Sequence, residues 1–183
     1  MTREEAFNLI KEKIKNQNLI KHSLAVEACM GGLAMYFKEK GEKWGLAGLL
    51  HDIDYEETKD DANLHSIKGA EFLEKIGIDK EISQAVRTHN EAHGILPDSL
   101  LGKSLFCVDP LTGLIIAATL VLPTKKIKDL TSESVLNRFG EKSFARGAKR
   151  EVILKCSEIN LSLEEFVKIC LNAMQQISNQ LNL

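Results

Sequence analysis

The histidines of this chain, with two aspartates, are the residues whose types and spacing could do chemistry. His51 and Asp52 close an almost wholly apolar run, Trp44-Gly-Leu-Ala-Gly-Leu-Leu50. A helix that is apolar all round is normally a buried one. An imidazole and a carboxylate at its end need compensation, because an unpaired buried carboxylate neutralises itself or takes up a cation. His22 precedes the pair, and His65, His89 and Asp109 follow it. His22 continues a helical stripe through Val26, Cys29, Leu33 and Phe37. His65 lies above Gly69, Phe72 and Ile76, His89 extends Ile82, Ala85 and Val86, and Asp109 follows Leu105 by one turn. Each of these polar groups is therefore expected to face the core.

Taken singly, each has an ordinary structural explanation. A histidine on an apolar face is commonly a satisfied core residue, Asp52 could orient His51, and Asp109-Pro110 also reads as an N-cap followed by proline at the first helical position. Taken together, they would each need a private partner, at about 1–3 kcal/mol apiece if left unsatisfied. One divalent cation satisfies several at once. Imidazole and carboxylate ligands suit one or two ions of Mn, Fe, Co, Ni or Zn rather than Ca, and leave positions open for water. No organic cofactor is expected. His89-Asn-Glu-Ala-His93 is not a zinc-protease helix, which needs glutamate directly after the first histidine; His93, one turn further out, reads as a surface or supporting residue.

The elements that must position these groups are helices. Nearly every segment has helical period and none alternates as a strand. Helices are expected at about 2–16, 20–40, 43–53, 63–76, 79–93, 99–108, 110–121, 132–139, 143–157 and 162–180. Gly77 reads as a helix C-cap and Asp79 as the next N-cap. Ser162 and Glu165 form a capping box, with Leu161 and Phe166 placed as a hydrophobic staple. Gly45, Ala47 and Gly48 would let neighbouring helices approach closely. Segments 54–62 and 123–131 are the candidate functional loops. The whole reads as one all-α domain over 1–183, with a metal-binding core at 20–120 and a C-terminal helical extension at 121–183.

With 183 residues and a formal net charge of −2, the chain has no excess of basic residues. A polyanion-binding surface of the usual kind is therefore not expected, and no nucleic-acid polymer is expected as partner. Its four cysteines, Cys29, Cys107, Cys156 and Cys170, are scattered and read as reduced core thiols. The amphipathic N-terminus is not expected to act as a signal peptide. The apolar stretch 114–122 falls short of the ~20 residues a membrane helix needs. A cytoplasmic protein with no membrane partner is expected; oligomeric state is not defined by the sequence.

The ordered set His22, His51-Asp52, Asp109 resembles the HD superfamily of metal-dependent phosphohydrolases. The flanks H-S-L-A-V-E-A, A-G-L-L-H-D-I-D, H-S-I-K-G-A and V-R-T-H-N extend the resemblance over most of 20–120. It implies an HD-domain-like helical bundle whose centre binds one or two divalent metals. His22, His51, Asp52 and Asp109 match the primary ligands, and His65 and His89 match the further histidines of dinuclear members. Cyclic-dinucleotide phosphodiesterases of the superfamily carry paired histidines where this chain has His89-Asn90, and a Gly-Tyr-Pro motif that is absent here. The C-terminal third looks like a group of HD hydrolases without an assigned substrate. Within this frame the expected activity is hydrolysis of a phosphate ester in a small nucleotide-like or phosphorylated metabolite. Asp52 is the expected bridging ligand and could orient the attacking water, and Asp54 or Glu56 is the candidate general acid or base. Lys125, Lys126, Arg146 and Arg150 are candidate phosphate clamps, or else a solvated basic face. Two alternatives are a di-iron HD-fold oxygenase using the same six ligands, and a non-catalytic metal-binding sensor.

Overall fold

A computed structural model describes residues 1–183. It contains helices and no strands, in the order α1 (Arg3–Lys13), α2 (Gln17–Phe37), α3 (Gly41–Leu50), α4 (Tyr55–Thr58), α5 (Ile67–Lys75), α6 (Lys80–Thr88), α7 (Leu100–Leu120), α8 (Ser132–Gly140), α9 (Arg150–Ile153), α10 (Leu163–Gln176) and α11 (Ser178–Leu181). Short 3-10 turns occupy Ile127–Asp129 and Leu154–Ile159. The all-α class is as the periodicity indicates. The caps are also in place: Gly77 has φ +79°, and Asp79 accepts from Glu81 N at 2.8 Å. Ser162 and Glu165 close a reciprocal capping box ahead of buried Phe166. All four cysteines are free and buried.

The frame is the α2–α3 pair, with α7 packed on both α2 and α6, and α10 also packed on α2. A continuous core runs from Ala6 and Ile10 of α1 to Leu181 of α11. Gly48 sets the α2–α3 distance. A Cβ there would lie 2.9 Å from the backbone of Val26 and Glu27, which cannot yield as a flexible side chain would. A Cβ at Gly45 would meet only the Glu27 side chain, no closer than 3.7 Å. Gly48→Ala is accordingly expected to cost about 1–3 kcal/mol and to lower the thermal midpoint by several degrees, whereas Gly45→Ala should leave it close to wild type. Thermal melts followed by circular dichroism check the pair.

Four expectations about the elements are corrected. Asp109-Pro110 does not start a helix: α7 runs unbroken through it. Proline removes one N–H and crowds the preceding turn, and packing of α7 on α2, α6, α8 and α9 offsets that local cost. The expected apolar limit at 114–122 fails for the same reason, since α7 as a whole has the length and hydropathy of a membrane-crossing segment. It is a core helix here, with 61% of that window buried. The expected helix at 143–157 is mostly a turn followed by α9 and a 3-10 stretch. The Arg150 guanidinium bonds the carbonyls of Arg138, Phe139, Phe144, Ala145 and Ala148, taking acceptors a helix would have used. The expected loop 54–62 contains α4.

Candidate metal centre

The C-terminal end of α3, the middle of α7, the start of α2, the entry to α5 and the end of α6 meet around Asp52. His51 is fully buried and Asp52 is 5% exposed. The two carboxylate oxygens of Asp52 divide between two groups of histidines. Its Oδ2 lies 3.4 Å from His51 Nε2 and 3.7 Å from His22 Nε2. Its Oδ1 lies 3.2 Å from His65 Nε2 and 3.5 Å from His89 Nε2. Asp109 completes the first group, with Oδ1 2.9 Å from His22 Nε2 and 3.9 Å from His51 Nε2. All six residues singled out by spacing are thus brought together.

Each imidazole is turned by a partner at its other nitrogen. His51 Nδ1 bonds the Gly48 carbonyl at 2.8 Å and His89 Nδ1 bonds the Val86 carbonyl at 2.7 Å, each one turn back in its own helix. A carbonyl accepts only, so both Nδ1 atoms carry a proton. Thr112 Oγ1 lies 3.2 Å from His22 Nδ1 and donates to the Asp109 carbonyl, so the hydroxyl serves as acceptor for His22. Asp54 Oδ1 sits 3.1 Å from His65 Nδ1. All four Nε2 atoms are left facing the carboxylates. This is how metal-binding histidines are oriented. Protons alone do not satisfy the arrangement: His22 Nε2 and His51 Nε2 are 3.2 Å apart, and His89 Nε2 is buried with no hydrogen-bond partner. The donor set fits divalent transition metals, in two groups sharing Asp52. Two partly overlapping triads, His22-His51-Asp109 and His51-Asp52-His89, already have ligand atoms within 4.8 Å of one another.

Without metal the charges compensate internally. Burial lowers the affinity of His51 for a proton, but the charge and hydrogen bonding of Asp52 outweigh it and push His51 up to about 9. His65, against Asp52 and Asp54, is likewise pushed up to about 10 despite its burial. Burial alone would raise Asp52, yet His51, His65 and His89 hold it well below the usual carboxylate range. The raised histidines stabilise the metal-free fold fully below their unfolded value near 6.5, and this is lost as pH rises through 9–10. A metal must displace those protons. Its apparent affinity should therefore climb with pH, by up to about one log unit per pH unit for each proton released, and level off near 9–10. Chelator competition at several pH values checks this; a pH-independent affinity would contradict it.

Asp54 and Glu56 are not where a general acid or base would stand. Asp54 is 4% exposed. It accepts from Ser66 N and Gly69 N at 2.9 Å each as well as facing His65. Gly69 gives this carboxylate room, since a Cβ there would come 3.1 Å from it. Ser66 takes φ +71°, and its hydroxyl lies 2.8 Å from His93 Nε2 and donates to Arg87 O, so half-buried His93 takes the supporting role, one of the two open to it from the sequence. Glu56 turns away and accepts from the amides of Lys15 and Asn16 at the α1–α2 junction.

A cavity of about 460 Å³ opens over the centre. Its lining combines the polar His22, Asp52, His65, His89 and Asp109 with the apolar Leu19, Phe106, Pro110 and Val152. None of Lys125, Lys126, Arg146 and Arg150 lines it. Lys125, Lys126 and Arg146 are exposed elsewhere, and Arg150 is occupied by the carbonyls of its own loop. The cation that does line it is Lys149, which pairs with Glu91 at the rim. Asn90, also in the lining, donates to the carbonyls of Ala62 and His65 and so fastens the α6 end to the α4–α5 segment. Lys149, Glu91 and the Thr112 hydroxyl escaped the sequence reading. Within a basic block such as Arg146–Arg150 no periodicity tells which side chain turns inward.

A family profile described as HD domain matches residues 19–114, more than half the chain and all six of the convergent residues. The chain belongs to the HD-domain family. It is therefore placed among metal-dependent phosphohydrolases, and the helical bundle and the His/Asp centre are those the family resemblance implies. Among curated proteins, this HD-domain chain is similar to ribonuclease Y of Lawsonia intracellularis, at 29% identity over 170 residues, 90% of this chain and 32% of the relative. Ribonuclease Y of Geobacter sulfurreducens is 28% identical over 171 residues, 91% of this chain and 32% of that protein. An uncharacterized protein of Methanocaldococcus jannaschii shares 33% identity over 91 residues, 47% of this chain and 52% of the other. The chain spans about a third of the length of the ribonuclease Y relatives. Those relatives are, by their name, RNA-cleaving proteins, which overturns the expectation that a nucleic-acid polymer is excluded as partner. Net charge is an average over the whole surface, and a centre that meets phosphate with metal-binding groups does not need a basic exterior.

Proposed function

We propose that this HD domain hydrolyses phosphodiester bonds in RNA, using two divalent transition metals held on Asp52. The observation that carries the proposal is the division of the two Asp52 oxygens between the His22–His51–Asp109 group and the His65–His89 group. The similarity to ribonuclease Y over 90% of the chain supports RNA as the substrate class.

Bound there, the metals would supply Lewis-acid polarisation of the phosphoryl group and acidify water near neutral pH. The chain's own residues do the rest. Backbone carbonyls, Thr112 and Asp54 fix the four imidazoles before any ligand arrives, so little reorganisation is needed. His51 lies behind the cavity floor and takes no part in substrate contact. Asp52, His65, His89 and Asp109 face the reacting phosphate, while Leu19, Phe106 and Val152 receive the apolar faces of the remainder. Neither Asp54 nor Glu56 moves a proton to substrate.

The test is incubation of metal-reconstituted protein with a short oligoribonucleotide under anaerobic conditions in Mn²⁺. Metal-dependent cleavage is expected, and it would set aside the di-iron oxygenase, which needs oxygen. A protein that binds both metals and leaves RNA intact would contradict the substrate assignment.

A further inference from the structure

We infer that Lys149 is the substrate-binding cation of this cavity, that it takes a backbone phosphate of the nucleic acid, and that Glu91 occupies it until substrate arrives. The inference rests on the phosphodiesterase reading above. Of the sixteen residues lining the cavity, Lys149 is the one carrying a permanent positive charge. The carboxylates and imidazoles of the metal centre are engaged with one another and oriented for metal. A strand of RNA brings one phosphate to the reaction and others beside it. The metals answer the first, and a cation at the rim answers a neighbour through a charge-assisted hydrogen bond.

Lys149 is built into place. It is the residue preceding α9, and the adjoining Arg150 gathers five or more carbonyls of 138–148 onto its guanidinium. That clamp fixes the turn that presents Gly147, Ala148 and Lys149 to the cavity. Arg150 is thus a positioning residue. Glu91 comes from the other side of the mouth, beyond the end of α6, in a segment tied down by Asn90. The Lys149 and Glu91 side chains keep 50% and 34% of their surface exposed, so their ion pair is a weak one that a phosphate can replace. An incoming phosphate exchanges one anionic partner of Lys149 for another, and Glu91 swings into water.

The test measures binding and cleavage separately, on metal-loaded protein with a fluorescent short oligoribonucleotide. Lys149→Ala is expected to weaken binding by about tenfold or more. It should also reduce the slope of log affinity against log salt by about 0.7, the loss of one phosphate contact on a single strand. Lys149→Arg should restore both. Glu91→Gln is expected to tighten binding, with metal content unchanged in all three variants. An unaltered salt slope in Lys149→Ala, or Glu91→Gln weakening binding as much as Lys149→Ala does, would overturn the inference and leave the pair as a structural tie. If wild type binds the strand with the expected Lys149 dependence but does not cleave it, the phosphodiesterase reading fails while the phosphate site stands. If it cleaves without that dependence, the reverse holds.

Discussion

Asp52→Ala is expected to strip both metals from the protein and to lower phosphodiesterase activity by at least about a thousandfold, with the helical signal retained. Asp52 is the one side chain that reaches both histidine groups, through different oxygens. Removing it leaves each group without its shared anion. Several kcal/mol of transition-state stabilisation go with the metals, and each 1.36 kcal/mol is about tenfold in rate. The fold should survive because His51 and His65 can shed their extra protons once the carboxylate that raised them is gone. Asp52→Asn serves as the second variant, keeping the shape while removing the charge. Elemental analysis, circular dichroism and RNA cleavage on the same samples check the three parts. Full metal retention in either variant would show that the ion is held elsewhere.

The second large effect is at Asp54. Asp54→Ala is expected to destabilise the fold by about 2–4 kcal/mol, since two buried amides, Ser66 N and Gly69 N, lose their acceptor. It is also expected to weaken the His65–His89 metal position by about 10- to 100-fold while leaving the His22–Asp109 position occupied, because Asp54 orients His65. Activity should then return on raising the metal concentration. A general acid or base would behave differently: its loss removes a limb of the pH–rate profile with metal content full, and excess metal restores nothing. Metal titration and pH–rate profiles together separate the two roles.

Which parts of this were legible in the sequence follows from the physics of each. The convergent residues were readable because His22, His89 and Asp109 continue apolar stripes by period and His51-Asp52 close an apolar run; His65, read as part of a helix over 63–76, faces the centre from a turn before α5 instead. The close helix approach was readable from the small residues Gly45, Ala47 and Gly48 as a group, but not that Gly48, rather than Gly45, is the glycine that meets the facing backbone. Asp109 was readable as a ligand only with an ambiguity: Asp-Pro marks helix starts, and nothing local reveals that tertiary packing carries α7 through Pro110. Asp54 and Glu56 were placed wrongly as chemistry because an acidic segment beside a site gives no sign of direction. Their hydrogen bonds go to backbone amides, of Ser66 and Gly69 in one case and of Lys15 and Asn16 in the other. The basic residues failed for a similar reason. Arg150 is consumed by carbonyls that only the folded turn brings together, and Lys149 faces the cavity as a consequence. Substrate class lay beyond charge bookkeeping altogether, since a local site can take a polyanion on a chain whose total charge is slightly negative.

The shared-carboxylate centre is the claim on which the rest depends, and metal stoichiometry tests it most directly. Protein reconstituted with Mn²⁺, freed of loose ions and measured by elemental analysis, is expected to hold two metals per chain in wild type and none in Asp52→Ala. One metal per chain in wild type, or two that persist without Asp52, would contradict it.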